Sequence, residues 1–359
     1  MAVVGSGVFG PGFERLAQAL GGMPDRVPLV AQMHEFAMGW TGSDSSSFYT
    51  RADLLASGII RTAEQFGFDV PSLGYDVYNI ELEALGQPLV FPAGSSPVSA
   101  AGSILVRSRA DLANLRLPTP GEAGRMPFVL EVHRRFREQT GVEPAIQFCA
   151  PFSLATLARG YAGFMEDIAL DSGFAHELLD FLTERVIAPW INAQKAALPE
   201  ASAAVGADAL CSPPMTSPTI IREFSIPYIL RLRKLCAVPV SVVNWWGESA
   251  LPAATDLLDL KRQVASGLIR AQDPDVERLG VGVFKEYAAR HGLALELGIG
   301  EQLIDRGPVS AIRARIRDCI ERAAGGGRLI LYLTSLSAGT PQDHVRAAIE
   351  AVKEFGVYR

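Results

Sequence analysis

What this chain has little of narrows its function first. Cysteine is scarce, and Cys149, Cys211, Cys236 and Cys319 lie far apart with no C-x-x-C pair. That excludes a disulfide framework and the common zinc-finger spacings, and fits four reduced thiols in a cytoplasmic protein. Apolar runs are short. Stretches such as Ala237–Val243 fall well below the roughly 20 residues that a bilayer-spanning helix needs. No charged leader followed by an apolar run opens the chain. Charge of one sign is not in excess either: 33 basic and 39 acidic residues give a net charge of −6. The two signs are interspersed, as in Arg313–Arg322, and no basic stripe marks a nucleic-acid surface. G-x-S-x-G elbows, P-loops and H-E-x-x-H motifs are absent. These absences leave a cytoplasmic barrel or layered enzyme acting on a small molecule, as monomer or homodimer, with neither nucleic acid nor membrane as partner.

What is present is alternation. Eight short apolar, β-branched runs read as strands: Val27–Met33, Tyr75–Ile80, Pro144–Phe148, Ala203–Leu210, Val238–Val243, Leu268–Ala271, Leu293–Leu297 and Arg328–Leu333. Most look buried on both faces, as parallel strands are. Helical spacing fills the intervals at Ala52–Phe66, Pro127–Thr140, Gly163–Leu198, Ser217–Leu235, Asp275–Arg290, Val309–Ala323 and Pro341–Phe355. Ser217-Pro218 and Thr340-Pro341 place a capping hydroxyl before a proline, and Gly292 and Gly356 follow helices. Eight βα units over 359 residues predict one (β/α)8 TIM barrel domain. A doubly wound sheet is the alternative. The Gly-, Pro- and Ser-rich stretch 86–124 reads as an insertion after the second strand, with a hairpin around Pro88–Val106.

Gly5-Ser6-Gly7-Val8-Phe9-Gly10 matches G-x-G-x-x-G. A dinucleotide site needs a full strand before it and an acidic residue about twenty positions on. Only Ala2–Val4 precede this match and Pro11 follows, so residues 1–12 read as a flexible arm.

In a (β/α)8 barrel, chemistry sits at the C-terminal strand ends. The first offers His34 and Glu35, an acid/base pair or metal ligand. The second offers Asn79, Glu81 and Glu83, where Asn79 and Glu81 are the catalytic candidates. Substrate-binding candidates follow: Cys149 after the third strand, Cys211 after the fourth, Asn244, Trp246 and Glu248 after the fifth, Ser335 and Ser337 after the eighth. Pro151 begins a helix whose free N–H groups suit an anion. Of the neighbouring Trp245 and Trp246, one is expected to line the pocket and one to pack. For each, packing or capping is the plain alternative to function.

Several segments together resemble the uroporphyrinogen decarboxylase superfamily, which includes the methylcobamide:coenzyme M and other corrinoid-dependent methyltransferases. Phe13–Val30 is similar to its opening helix and "DRVP" strand, Glu83-Ala84-Leu85-Gly86 to its E-A-x-G segment, and Ala150–Ala155 to its G-P-F-T-L-A segment. Gly206–Ala209 matches G-A-D-A, and Gly339–Ala351 with Gly356 resembles the closing helix. The resemblance implies a (β/α)8 barrel.

Its two chemistries map poorly onto this chain. Met33-His34-Glu35 stands where the decarboxylases carry M-R-Q-A-G-R, Leu157 where they have a tyrosine, and Leu336-Ser337-Ala338 where they have G-H-G. The cationic grips for a tetra-anionic porphyrinogen are therefore not expected. The methyltransferases' zinc-binding H-x-C falls on Asn244-Trp245-Trp246, and their last cysteine falls near Leu336 or Ser337. A replacement zinc site would draw on His34, Glu81 and Cys211. The leading expectation is corrinoid-linked methyl transfer or demethylation on a small or aromatic substrate. His34, Asn79 and Glu81 would position the methyl-bearing group, and Trp246 would stack on substrate or corrin. Cobalamin would be free or on a partner corrinoid protein. The alternatives are a decarboxylase or lyase on a smaller carboxylated substrate, and a non-catalytic tetrapyrrole or aromatic-ligand binder.

Overall fold

The computed structural model describes residues 7–358. Seven parallel strands form two arcs. One arc has the order β1 (Leu29–Ala31), β9 (Leu329–Leu333), β8 (Ala294–Ile299), β7 (Leu268–Gln272). The other has the order β4 (Ile146–Cys149), β5 (Ala204–Ala207), β6 (Val240–Val242). All six residues of β8 and all five of β9 are buried, as apolar strands covered by helices on one face and barrel on the other must be.

Side chains bridge the two gaps between the arcs. The run at Tyr75–Ile80 is not a strand. It turns through a 3₁₀ segment, Val77–Asn79, into a short helix, Ile80–Ala84. The second barrel position is instead held by the extended segment before it, where Pro71 has no N–H to give to a ladder. Ser72 Oγ accepts from the Ala31 amide at 3.3 Å, and Leu73 carbonyl accepts from Gln147 Nε2 at 2.8 Å. In the second gap, Lys261 joins the loop after β6 to β7. It pairs with the buried Glu248 carboxylate and donates to Arg270 carbonyl at 2.8 Å. The result is a (β/α)8 barrel with one irregular strand.

The helices at Ala52–Phe66 and Val309–Ala323 have the expected bounds. Others are broken where proline or a cap intervenes. Gly163–Leu198 divides after Leu170, where Asp171 caps the next helix by accepting from the Phe174 amide. A π turn at Thr183–Ile187 then precedes Pro189, which lacks an N–H. Ser217 caps as expected, accepting from the Ile220 amide. Thr340 does not: its hydroxyl donates to Asp305, and the last helix starts at Gln342 with no side-chain cap. The expected arm at 1–12 is partly a helix, since Gly10–Gly21 is helical. Gly12 there lies so close to Asp69 carbonyl that an added Cβ would sit 1.7 Å away. Residues 1–6, with Gly5 and Ser6 of the glycine motif, lie outside the described residues.

The insertion contains the hairpin β2 (Leu89–Val90) and β3 (Val98–Ser99). Its tip is fastened over the barrel. Ser95 carbonyl accepts from Ser45, Pro97 carbonyl from Asn79, and the Ser96 amide donates to Glu35. Among the described residues, no helix is long and apolar enough to cross a membrane.

Candidate active site

A cavity of about 1490 Å³ opens among the strand ends. Of the expected residues it is lined by His34, Asn79, Asn244, Trp246 and Ser335. Glu35, Glu81, Cys149, Cys211, Glu248 and Ser337 do not line it, each for a local reason.

His34 opens the helix His34–Thr41 directly after β1, which turns its ring to the cavity. Burial lowers its pKa to about 4, so it is neutral. Its Nδ1 lies 2.6 Å from Tyr49 Oη, which lies 3.1 Å from Ser96 Oγ, which donates to Glu35 Oε1 at 2.5 Å. Counting hydrogens fixes the direction. Ser96 gives its only proton to the Glu35 carboxylate, so Tyr49 must give its proton to Ser96. His34 Nδ1 must then carry a proton and donate it to Tyr49. Nε2 is left with a lone pair, and no partner for it exists among the described residues. Glu35 is thus the end of a relay, not a wall residue.

Tyr78 is the next polar group. Its oxygen accepts from the Ala209 amide at 3.0 Å and from Asn244 Nδ2 at 3.0 Å. Asn244 has no choice of orientation, because its Oδ1 accepts from the Asp208 amide at 2.8 Å. Both lone pairs of Tyr78 are engaged, and its proton has no acceptor among the described residues. Burial raises its pKa, so it remains a donor.

Arg270 stands in mid-strand on β7, where alternation turns Leu268, Arg270 and Gln272 one way and Ile269 and Ala271 the other. Its Nε donates to Glu296 on β8, the residue directly opposite in register. The guanidinium lies 4.5 Å from the Tyr332 ring centroid. Burial opposes its charge, but Glu296 and Tyr332 more than offset this and raise its pKa. Neither terminal nitrogen has a partner among the described residues. The cavity therefore does hold a cation, contrary to the expectation from the missing N-terminal arginines.

The carboxylates that leave the wall have structural work. Glu81 is fully buried and accepts from the Cys149 amide at 2.9 Å. Burial raises its pKa to about 8. Glu248 is fully buried against Lys261, and burial raises its pKa too. Ser337 is turned into a cluster with Thr340 and Asp305. Cys149 and Cys211 are buried, and burial pushes both thiols well up, away from the thiolate form. Among the described residues, no group of three His, Cys, Asp or Glu is placed to hold a metal. His34, Glu81 and Cys211 are therefore not brought together.

The adjacent tryptophans divide. Trp245 is buried and donates to Asp208 at 3.0 Å, while Trp246 is 38% exposed at the cavity. Gly247 makes that turn possible. Its φ is +100°, and an added Cβ would lie 2.2 Å from Pro213 carbonyl. Asp208 itself also accepts from Ser153 and Ser225, and burial raises its pKa to about 6. It is a buried hub for the G-A-D-A segment.

A family model described as uroporphyrinogen decarboxylase (URO-D) matches residues 13–355, nearly the whole chain. The chain belongs to the URO-D family. Uroporphyrinogen decarboxylase of Anaeromyxobacter dehalogenans is 27% identical over 321 residues, covering 85% of this chain and 86% of that one. That of Chloroflexus aurantiacus is 26% identical over 322 residues, covering 84% and 83%. In fold, the chain is similar to a methyltransferase from Methanosarcina mazei, with TM-score 0.76, 22% identity, and coverage of 95% of this chain and 98% of that one. This is a divergent URO-D-superfamily barrel enzyme. Sequence reasoning missed Tyr49, Tyr78, Ser96 and Arg270. Only Arg270 left a signal, as a charge inside an otherwise apolar strand.

Proposed function

We propose that this enzyme transfers a methyl group to or from a small or aromatic substrate, in partnership with a corrinoid. The observation that carries the reading is the His34 relay. It leaves an uncharged acceptor, Nε2, on the cavity wall, placed to accept the hydrogen bond of a substrate hydroxyl or thiol and then its proton, which methylation of that atom makes strongly acidic. The proton leaves the methylated atom for His34, and the new positive charge is answered through Tyr49 and Ser96 by Glu35. A bound corrinoid supplies the methyl group as an electrophile. Trp246, half exposed beside Pro213 and Pro214 at the cavity, offers an apolar edge that fits a flat macrocycle. Among the described residues, the donor set does not fit zinc. Methylcobalamin absorbance with a panel of thiols and phenols tests this. Acceptor-dependent demethylation of the cobalamin, greatly slowed in His34→Asn, is expected. No spectral change across the panel refutes it.

Arg270 favours a second reading, decarboxylation of a substrate smaller than uroporphyrinogen. The C–C bond to the carboxylate breaks, its electron pair stays on carbon, and a solvent proton replaces the carbon dioxide. Cofactor-free carbon dioxide release from aromatic carboxylates distinguishes it. Saturable binding with neither product marks a ligand-binding barrel instead.

A further inference from the structure

We infer that Arg270 and Tyr78 form a subsite for one carboxylate group of the substrate. The inference rests on the cavity being the substrate site, a premise common to both reactions above. It does not depend on which reaction occurs.

Three observations converge on it. The first is the free end of the guanidinium. Glu296 takes only Nε, and the Tyr332 ring lies near the group. The planar fork of the two terminal nitrogens is left to face the cavity, held in orientation from two sides. That is the geometry that accepts two carboxylate oxygens at once. The second is Tyr78. Its oxygen is saturated by two N–H donors, so its proton must point away from them. Tyr78 also lies close enough to raise the Arg270 pKa. The third is charge. Arg270 is already paired with Glu296, so the pair is close to neutral, and a single added carboxylate matches the remaining donors. Two further guanidiniums, Arg278 and Arg306, line the same cavity among Asp273, Asp275, Glu277 and Glu301, so the subsite accounts for one carboxylate and sets no limit on others. The carbon skeleton would extend toward the strand ends, past Gln272 and Asn244 toward Trp246.

The test uses the full chain with benzoate and its uncharged isostere benzamide, by isothermal titration calorimetry. Benzoate is expected to bind at least tenfold more tightly than benzamide, the scale of one charge-assisted hydrogen bond. Tyr78→Phe should weaken benzoate several-fold and benzamide less, because a neutral carbonyl accepts a weaker hydrogen bond than a carboxylate. Arg270→Gln strands Glu296, so the double variant Arg270→Gln/Glu296→Gln is measured with it, each checked by thermal melting. The double variant should lose most of the preference, down to the several-fold share of Tyr78, and Arg270→Lys should keep part of it. Equal affinity for benzoate and benzamide in the unmodified enzyme overturns the subsite. So does a preference undiminished in the double variant, or no saturable binding of either probe. Cobalamin demethylation and carbon dioxide release are read independently. A failed subsite therefore leaves the reaction standing, and a failed reaction leaves the subsite standing.

Discussion

Replacing Tyr49 by Phe removes one oxygen and tests the relay at its centre. The ring would still meet His34 edge-on, at a centroid separation of 5.8 Å with planes 82° apart. What is lost is the acceptor for His34 Nδ1–H. A buried donor left without a partner costs roughly 1–3 kcal/mol. The ring can escape most of that by moving its proton to Nε2, which faces the cavity. Charging His34 instead is the harder route. Its pKa is lowered from 6.5 to about 4, and 2.5 units correspond to roughly 3 kcal/mol. The expected outcome is therefore a tautomer switch without protonation. Nε2 then has no lone pair to take a proton, and kcat/KM falls on the order of 100-fold, the lower range for loss of a general base. Nitrogen-15 NMR of the His34 ring reads the tautomer directly, with assignment by His34→Asn. In the unmodified enzyme the acid limb of kcat/KM should lie near pH 4, not near 6.5, because the base form persists down to that pH. A Tyr49→Phe enzyme with Nδ1 still protonated and full activity refutes the relay.

Glu81 makes stability fall with pH. Its folded pKa of about 8 lies above the ordinary 4.5, so the folded state holds a proton that the unfolded chain releases. Stability is full below pH 4.5, declines through the interval to about 8, and levels off above it. Urea denaturation at pH 5 and pH 8.5 should show that decline, on the order of a few kcal/mol, and Glu81→Gln should largely abolish it. An unchanged slope in the variant counts against a protonated Glu81. Lys261→Met should cost about 3–5 kcal/mol, because Glu248 is left charged and buried. Lys261→Met/Glu248→Gln should recover most of that loss in a denaturant double-mutant cycle, and strict additivity would mean that the pair does not interact.

The barrel was legible because its signals are local. Alternation of β-branched runs with helical spacing is written in adjacent residues, and seven of eight strands lie where those runs are. The eighth failed for a physical reason. Tyr75–Ile80 is apolar enough for a strand, but its position in the barrel belongs to the segment after Pro71, whose ladder bonds come from Ser72 and Gln147. Inside the long helical stretches, Pro189 and Asp171 could have marked the breaks, yet periodicity alone runs through them.

Strand-end position located the neighbourhood of the site but not its wall. It found His34, Asn79, Asn244, Trp246 and Ser335, and it equally offered Glu81, Cys149, Cys211 and Glu248, which face inward behind the cavity. A position at a strand end does not say which way the side chain turns, and burial among neighbours from other elements decides that.

By itself, then, the sequence determined the strand-and-helix order, the family frame, the cap at Ser217 and the division of labour between two adjacent tryptophans. Tertiary structure alone decided the chemistry of the cavity. His34 meets Tyr49 15 residues away, and Ser96 meets Glu35 61 residues away. Arg270 faces Glu296 because β7 and β8 lie in that register. Each of these groups takes its protonation state and its free valence from a partner distant in sequence, and only the folded barrel brings those partners within hydrogen-bonding distance.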